Sequence, residues 1–452
     1  MSPLALLGLA ALGVAVLLGL ILWLRWPAFV ALLVASLVVA LLGGVPPGEV
    51  AAAIEEGMGA TLGYIAVVVG LGAMFGELLR TSGGAEQISR TLVGAFGEER
   101  APGALGLTGL IVAIPVFFDV ALILFIPLIY GLTRRTGRSL LFFALPLTAG
   151  IAVAHSFIPP TPGPVAVASL IGADLGWVIV FGVLAGVPAT VLGGIVFGRY
   201  AAGRIPLGVP EQMADAHEEA QAAAEEEHAL PSFALAVGLI AVPLALILAG
   251  TASDVLLPEG HALRPWLAFA GHPFTALIAA ALLAFYLLGV RRGQSMDEVR
   301  RIARAGLEPV GLIILVTGAG GVFGHVLIET GVGDALAEMM AASSLPAVLL
   351  AFLIAAVVRV SQGSATVSMV TAAGLMQPVV EAASFAPPRL GALTIAIASG
   401  ATVLSHVNDS GFWLVSEFLG MSEAETLRTW TVMETIIGLT GLAVALLADL
   451  FV

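Results

Sequence analysis

Long apolar runs dominate the chain, at 4–24, 27–42, 177–197, 232–249, 273–290 and 431–448. A helix that crosses a bilayer needs roughly 20 apolar residues, so each run is long enough, or nearly so, to span. The run 4–24 reads as a retained helix rather than a cleaved signal peptide. It lacks a basic leader, exceeds the roughly 7–15 apolar residues of such peptides and continues directly into another apolar run.

Composition supports a lipid environment. Of 452 residues, 59% are hydrophobic and 11% charged, where a soluble domain carries about 25% charged residues; the mean hydropathy is +1.06. Without cysteine, disulfides, thiol catalysis and thiolate metal sites are excluded. The net charge of −13 comes partly from 211–227, which holds Glu218, Glu219, Glu225, Glu226 and Glu227 and reads as a solvated loop. No basic surface invites nucleic acid. No nucleophile–base pattern, metal cluster or phosphate loop points to an enzyme, a cofactor or a metal.

All eighteen basic residues are arginine, and fifteen fall in clusters around 25, 80–100, 134–138, 199–204, 291–304 and 428. Short cytoplasmic loops are enriched in positive charge, so one threading is favoured. Helices at 3–24, 26–43 and 58–79 start outside and end inside. Segment 104–133 enters and returns, 139–174 goes out, and 177–198 comes in. The linker 199–230 is then cytoplasmic. The second half runs 232–250 out, 272–290 in and 308–328 out. Segment 346–380 dips and returns, 391–418 goes in and 429–451 goes out, leaving both termini outside. The arm 104–114 spans about 16 Å as a helix, half of a roughly 30 Å core, so 104–133 and 346–380 read as re-entrant hairpins. The tips near 115–119 and 361–366 are expected at the midplane.

The halves also share sequence. Gly70-Leu-Gly-Ala-Met-Phe-Gly76 lies over Gly318-Ala-Gly-Gly-Val-Phe-Gly324, Ser82-Gly83 over Thr330-Gly331, and Ala154-His155 over Ser405-His406. The expected fold is therefore an all-α polytopic membrane protein of two inverted-topology repeats, 1–198 and 231–452. Each has about five spanning helices, one of them broken (139–174, 391–418), and one hairpin. Inverted repeats with interrupted helices are the pattern of secondary transporters, whose sites lie where the repeats meet.

Four interruptions carry the chemistry: the tips 114–119 and 359–366, and the breaks 155–164 and 406–413. Irregular backbone at membrane depth must face protein or a wet cavity, and helix N-termini there favour a carboxylate. The expected substrate-binding residues are Phe118, Asp119, His155, Pro160, Thr161, Gly163, Ser361, Gln362, Gly363, Ser364, Thr366, His406, Asn408, Asp409 and Ser410. Asp119 and Asp409 are placed deepest and read as proton carriers, with His155 and His406 the other titrating candidates; local capping and structural hydrogen bonds are the alternatives. Arg359 is left between the substrate carboxylate, an outward reach and Glu381. Glu77, His325 and Glu434 read as packing or interfacial positions.

At Ser82-Gly-Gly-Ala-Glu86, Ile114-Pro-Val-Phe-Phe-Asp119, Pro159-Pro-Thr-Pro-Gly-Pro164 and Asn408-Asp-Ser-Gly-Phe-Trp413 the sequence resembles the gluconate permease (GntP) family of proton symporters, within the ion transporter superfamily. The resemblance covers nearly the whole chain. It implies proton-coupled import of gluconate or a related sugar acid, and a homodimer with an elevator mechanism. The family commonly has histidine at Thr161 and serine at Asn408. A sodium-coupled carboxylate transporter or antiporter of the same superfamily is the alternative, with Asn408, Ser410 and broken-helix carbonyls as sodium ligands. A channel or a membrane enzyme is the remaining reading.

Overall fold

A computed structural model describes residues 2–210, 230–332, 335 and 345–451, and these form helices with no strand among them. The acidic run 211–227 lies outside the described residues. In chain order, α1 (Pro3–Leu22) and α2 (Ala28–Gly43) lead into α3 (Val50–Thr81) and α4 (Gly84–Phe96). A hairpin follows, α5 (Ala101–Val112) and α6 (Phe118–Thr136), and then α7 (Leu141–Phe157), separated by a break from α8 (Pro162–Ile171). The last helix before the acidic run is α9 (Leu175–Arg204), which contains a π turn at Thr190–Val196.

The second part begins with α10 (Phe233–Leu256), α11 (Arg264–Gly271), α12 (Pro273–Arg292), α13 (Met296–Ala305) and α14 (Val310–Glu329). A second hairpin, α15 (Ala347–Gln362) and α16 (Ala365–Ala383), precedes α17 (Pro387–Gly400), a second break, α18 (Ser410–Leu419) and α19 (Glu423–Asp449). Among the described residues, eight stretches have the length and composition to cross a membrane, with α7 and α8 counted as one.

Helix boundaries depart from the hydropathy reading where charge extends a helix. α3 begins at Val50 rather than 58 because Glu55 and Glu56, good helix formers, hide its first turns from an apolar scan. α5 has 12 residues, close to the eleven-residue arm 104–114 expected for this hairpin, whereas the returning α6 has 19, about 28 Å. It continues through Arg134 and Arg135, whose charge suits a helix C-terminus, and stops at Gly137 with φ 66°. α4, α11 and α13 lack long apolar runs; α4 buries Ala85, Ile88 and Leu92 on one face.

Enclosure is graded. In the α7–α8 span 89% of the apolar window is buried, against 22% for α1, so α7–α8 is central and α1 peripheral. α5 packs on α7, α15 on α17, α3 on α14, and α16 on both α14 and α8. Lipid tails are as apolar as leucine, so helices associate through close backbone approach at small residues. A Cβ on Gly109 would lie 2.4 Å from the Leu147 carbonyl oxygen, one on Gly150 2.2 Å from that of Gly106, and one on Gly400 2.2 Å from that of Phe352. The α5–α7 and α15–α17 seams therefore accept only glycine at these points.

Gly109→Ala should lower the unfolding midpoint of the detergent-purified protein, with overpacking costing about 1–3 kcal/mol. Gly131→Ala, where an added Cβ meets nothing within 4 Å, should leave it unchanged or raised. Equal midpoints for the two variants would show that the α5–α7 seam is not tight.

Candidate functional site

Each hairpin tip abuts the break of its own half. The first break is Ile158–Thr161, with a cis bond between Pro159 and Pro160. It arises because Pro159, Pro160, Pro162 and Pro164 cannot donate within a helix. Thr161 Oγ1 donates to the Ile158 carbonyl at 2.6 Å, and between Pro162 and Pro164 only Gly163 carries an N–H. A hollow of about 10 Å³ separates Ile114–Phe117 of the first tip from Pro160–Pro162.

The second break, 401–409, meets the second tip directly. Asn408 Nδ2 donates to the Val360 carbonyl at 2.9 Å. Gly363, at φ 85°, sits so close that a Cβ there would lie 2.0 Å from the Asn408 carbonyl oxygen. Within this tip Gln362 Nε2 donates to the Ser364 carbonyl at 2.9 Å and to Ser368 Oγ at 3.0 Å, and Ser364 Oγ caps α16 at the Val367 N–H. Ser361 Oγ instead donates back to Val357 of its own helix at 2.7 Å; Thr366 is half-buried in the first turn of α16.

Asp409 is the centre of this region. Its Oδ1 accepts the Gly411 N–H at 3.1 Å and so caps α18. Its Oδ2 accepts from Arg359 Nη2 and from Ser405 Oγ, each at 2.5 Å. Trp430 Nε1 donates to Ser405 Oγ at 2.7 Å, and Thr431 Oγ1 donates to the Ser405 carbonyl. Both residues lie on the π turn Leu427–Thr431, a local widening of α19 of a kind frequent at functional sites. Arg359 is 2% exposed and Asp409 9%, so this is a buried ion pair. The partner of Arg359 is thus Asp409, which the sequence reading does not offer; the side chain neither reaches outward nor pairs with Glu381.

Two further side chains lie within electrostatic range of the pair. The Oε1 atom of Glu434, on α19, is buried and has no hydrogen-bond partner among the described residues; the residue is 4% exposed. Its charge interacts with both Arg359 and Asp409. His155, in the last turn of α7, interacts electrostatically with Asp119 and Asp409, and its Nδ1 has no partner among the described residues. The Phe117 ring lies 6.4 Å from that imidazole, and Phe118 lies 5.4 Å from Trp430.

The remaining sequence candidates are less central. Asp119, at the second position of α6, is exposed rather than buried. Glu434 is the buried carboxylate beside Asp409. His406, half-buried, bonds locally to the Leu404 carbonyl through Nδ1 at 2.8 Å. Asn408 and Ser410 are exposed. Pro160, Thr161 and Gly163 are buried, and a Cβ on Gly163 would lie 2.6 Å from Met369 Sδ of α16. That contact joins the first break to the second hairpin.

Beside the first tip lies a cavity of about 450 Å³, lined by Ala73, Gly76, Glu77, Arg80, Phe117 and Gly306 among others. Glu77, read from sequence as packing or interfacial, forms an ion pair with Arg80 at 2.5 Å on its rim. Cavity and hollow share Ala73, Pro115, Val116 and Phe117.

Membrane-length helices interrupted where charged side chains gather in the interior define a polytopic membrane transporter. The chain belongs to the GntP family of permeases: the GntP family permease profile matches residues 5–451. It is thus an integral membrane protein of a transporter family, and not an enzyme. It is 43% identical to the low-affinity gluconate transporter of Escherichia coli K12 over 99% of both chains. It is 39% identical to a gluconate permease of Pseudomonas aeruginosa PAO1, over 93% of this chain and 92% of that one, and 34% identical to the Gnt-II system L-idonate transporter of E. coli K12, over 96% of both. Its fold is similar to that of Neisseria gonorrhoeae MtrF, from a class of antimetabolite efflux pumps, with TM-score 0.67, 14% identity and 92% and 93% of the two chains covered. The YdaH transporter of Alcanivorax borkumensis is similar at TM-score 0.64 and 15% identity, over 94% of this chain and 97% of that one.

Breaking the buried pair from one side strands a charge, which costs about 3–5 kcal/mol. Arg359→Met should therefore lower the unfolding midpoint in detergent more than Arg359→Met combined with Asp409→Asn. Additive losses in the double variant would show that the two groups are not coupled.

Proposed function

We propose that this permease imports gluconate, or a closely related sugar acid, together with protons. The observation that carries the reading is the meeting of two hairpin tips and two helix breaks around one buried charged cluster in an otherwise apolar bundle. Near-full-length similarity to several gluconate transporters supports the substrate.

In this reading the carboxylate approaches the N-termini of α6 and α8, which have no side-chain cap, while the hydroxyls meet Asp119, the second tip and the exposed Asn408 and Ser410. His155, Asp409 and their neighbours form the coupling region. The cavity of about 450 Å³, within the roughly 300–1,000 Å³ usual for small-molecule sites, is the path to it. Its rim carries Arg80 and adjoins the arginine cluster 291–304. Positive charge is favoured in cytoplasmic loops, so the cavity opens inward. The paired seams α5–α7 and α15–α17 support two inverted repeats with both termini outside, and a homodimer moving as an elevator completes the proposal.

The purified protein in liposomes should accumulate gluconate under an inward proton gradient without sodium. Accumulation that requires sodium at fixed pH would favour the sodium-coupled alternative, and flux that does not saturate would favour a channel. Ala73→Trp, which fills the cavity, should reduce the uptake rate at least tenfold while leaving the unfolding midpoint within a few degrees. Unimpaired uptake by that variant would remove the cavity from the path.

A further inference from the structure

We propose that Glu434 is the group that binds and releases the coupling proton, with Arg359 exchanging Asp409 for Glu434 as its partner when the proton leaves. The assignment rests on the proton-coupled reading above and names its carrier.

Charge balance comes first. One guanidinium serves two buried carboxylates, those of Asp409 and Glu434. An uncompensated charge in such surroundings is costly, so a single proton makes the cluster neutral. The hydrogen bonds then decide where the proton sits. Three donors already converge on Asp409, from Arg359, Ser405 and Gly411, and a proton added there weakens these bonds and cancels the charge that holds Arg359. Glu434 Oε1 has no donor among the described residues, so a proton on Glu434 displaces nothing.

The unfilled valences are complementary. Arg359 Nε and Nη1 are buried without partners among the described residues, as is Glu434 Oε1. Two orphaned donors and an orphaned acceptor in one electrostatic cluster mark a second pairing that this arrangement leaves unmade. The other ionisable groups around the cluster are His155 on α7, with Asp119 opposite it at the start of α6, and His406 in the second break, whose Nδ1 is engaged by Leu404. None of these has an orphaned oxygen facing Arg359.

The test uses purified full-length protein in liposomes with labelled gluconate. Two readouts are taken: accumulation under a gradient of about one pH unit, and gluconate–gluconate exchange at equal pH. Wild-type protein coupled to one proton accumulates about tenfold. Glu434→Gln should retain exchange but only equilibrate gluconate, and Glu434→Asp should restore part of the accumulation. Normal accumulation by Glu434→Gln overturns the assignment and leaves proton coupling standing. Loss of exchange together with accumulation overturns it too, placing Glu434 in binding or folding. Wild-type protein that exchanges gluconate yet ignores the pH gradient overturns the proton-coupled reading and this assignment with it.

Discussion

Inside hydrocarbon a peptide group that leaves a helix has no water to bond, and each unmet N–H or carbonyl costs several kcal/mol. This chain leaves the helix inside the bundle at Ile158–Thr161 and at 401–409, and the surrounding structure is arranged around supplying partners there. Thr161 turns back to Ile158, Asp409 caps α18, Thr431 reaches the Ser405 carbonyl and Asn408 reaches Val360. The hairpins serve the same constraint, since each tip covers one break. Glycine at Gly109, Gly150 and Gly400 lets the supporting helices come close enough to hold tips and breaks together.

The charged cluster follows from that arrangement. Asp409 is both a helix cap and a counterion, so the residue that ends the irregular stretch also fixes Arg359. The site is therefore an extension of the backbone problem rather than a separate graft on the fold. Met369 against Gly163 and Phe118 against Trp430 carry the same logic across the two parts of the chain, each setting a side chain from one half against a helix that flanks or bonds to an interruption in the other.

Much of this was legible in the sequence, because the signals are local. Four prolines in six residues announce the first break, and Asp409 amid polar residues in an apolar context announces the second. The spanning helices were visible as apolar runs. What escaped depends on contacts between distant segments. Arg359 is fifty positions from Asp409, and no spacing rule joins them. Glu434 lies in plain view as the acidic residue of the run 431–448, yet only its burial within electrostatic range of Arg359 separates it from an interfacial acid such as Glu77. The exposure of Asp119 escapes the sequence because a motif gives a residue's position along a helix and not the direction of its side chain. α4 and α13 were missed because an amphipathic helix beside a membrane has no long apolar run to mark it.

Gly363 carries a consequence for how the molecule moves. With backbone in van der Waals contact with Asn408, and with the Asn408 side chain donating to the Val360 carbonyl, the second hairpin and the second broken helix are clamped at two points. They form a single lever, and no hinge can be cut between them. Whatever displacement exposes the cargo to alternate sides must be taken up elsewhere, along surfaces where side chains slide past one another instead of interlocking through main chain.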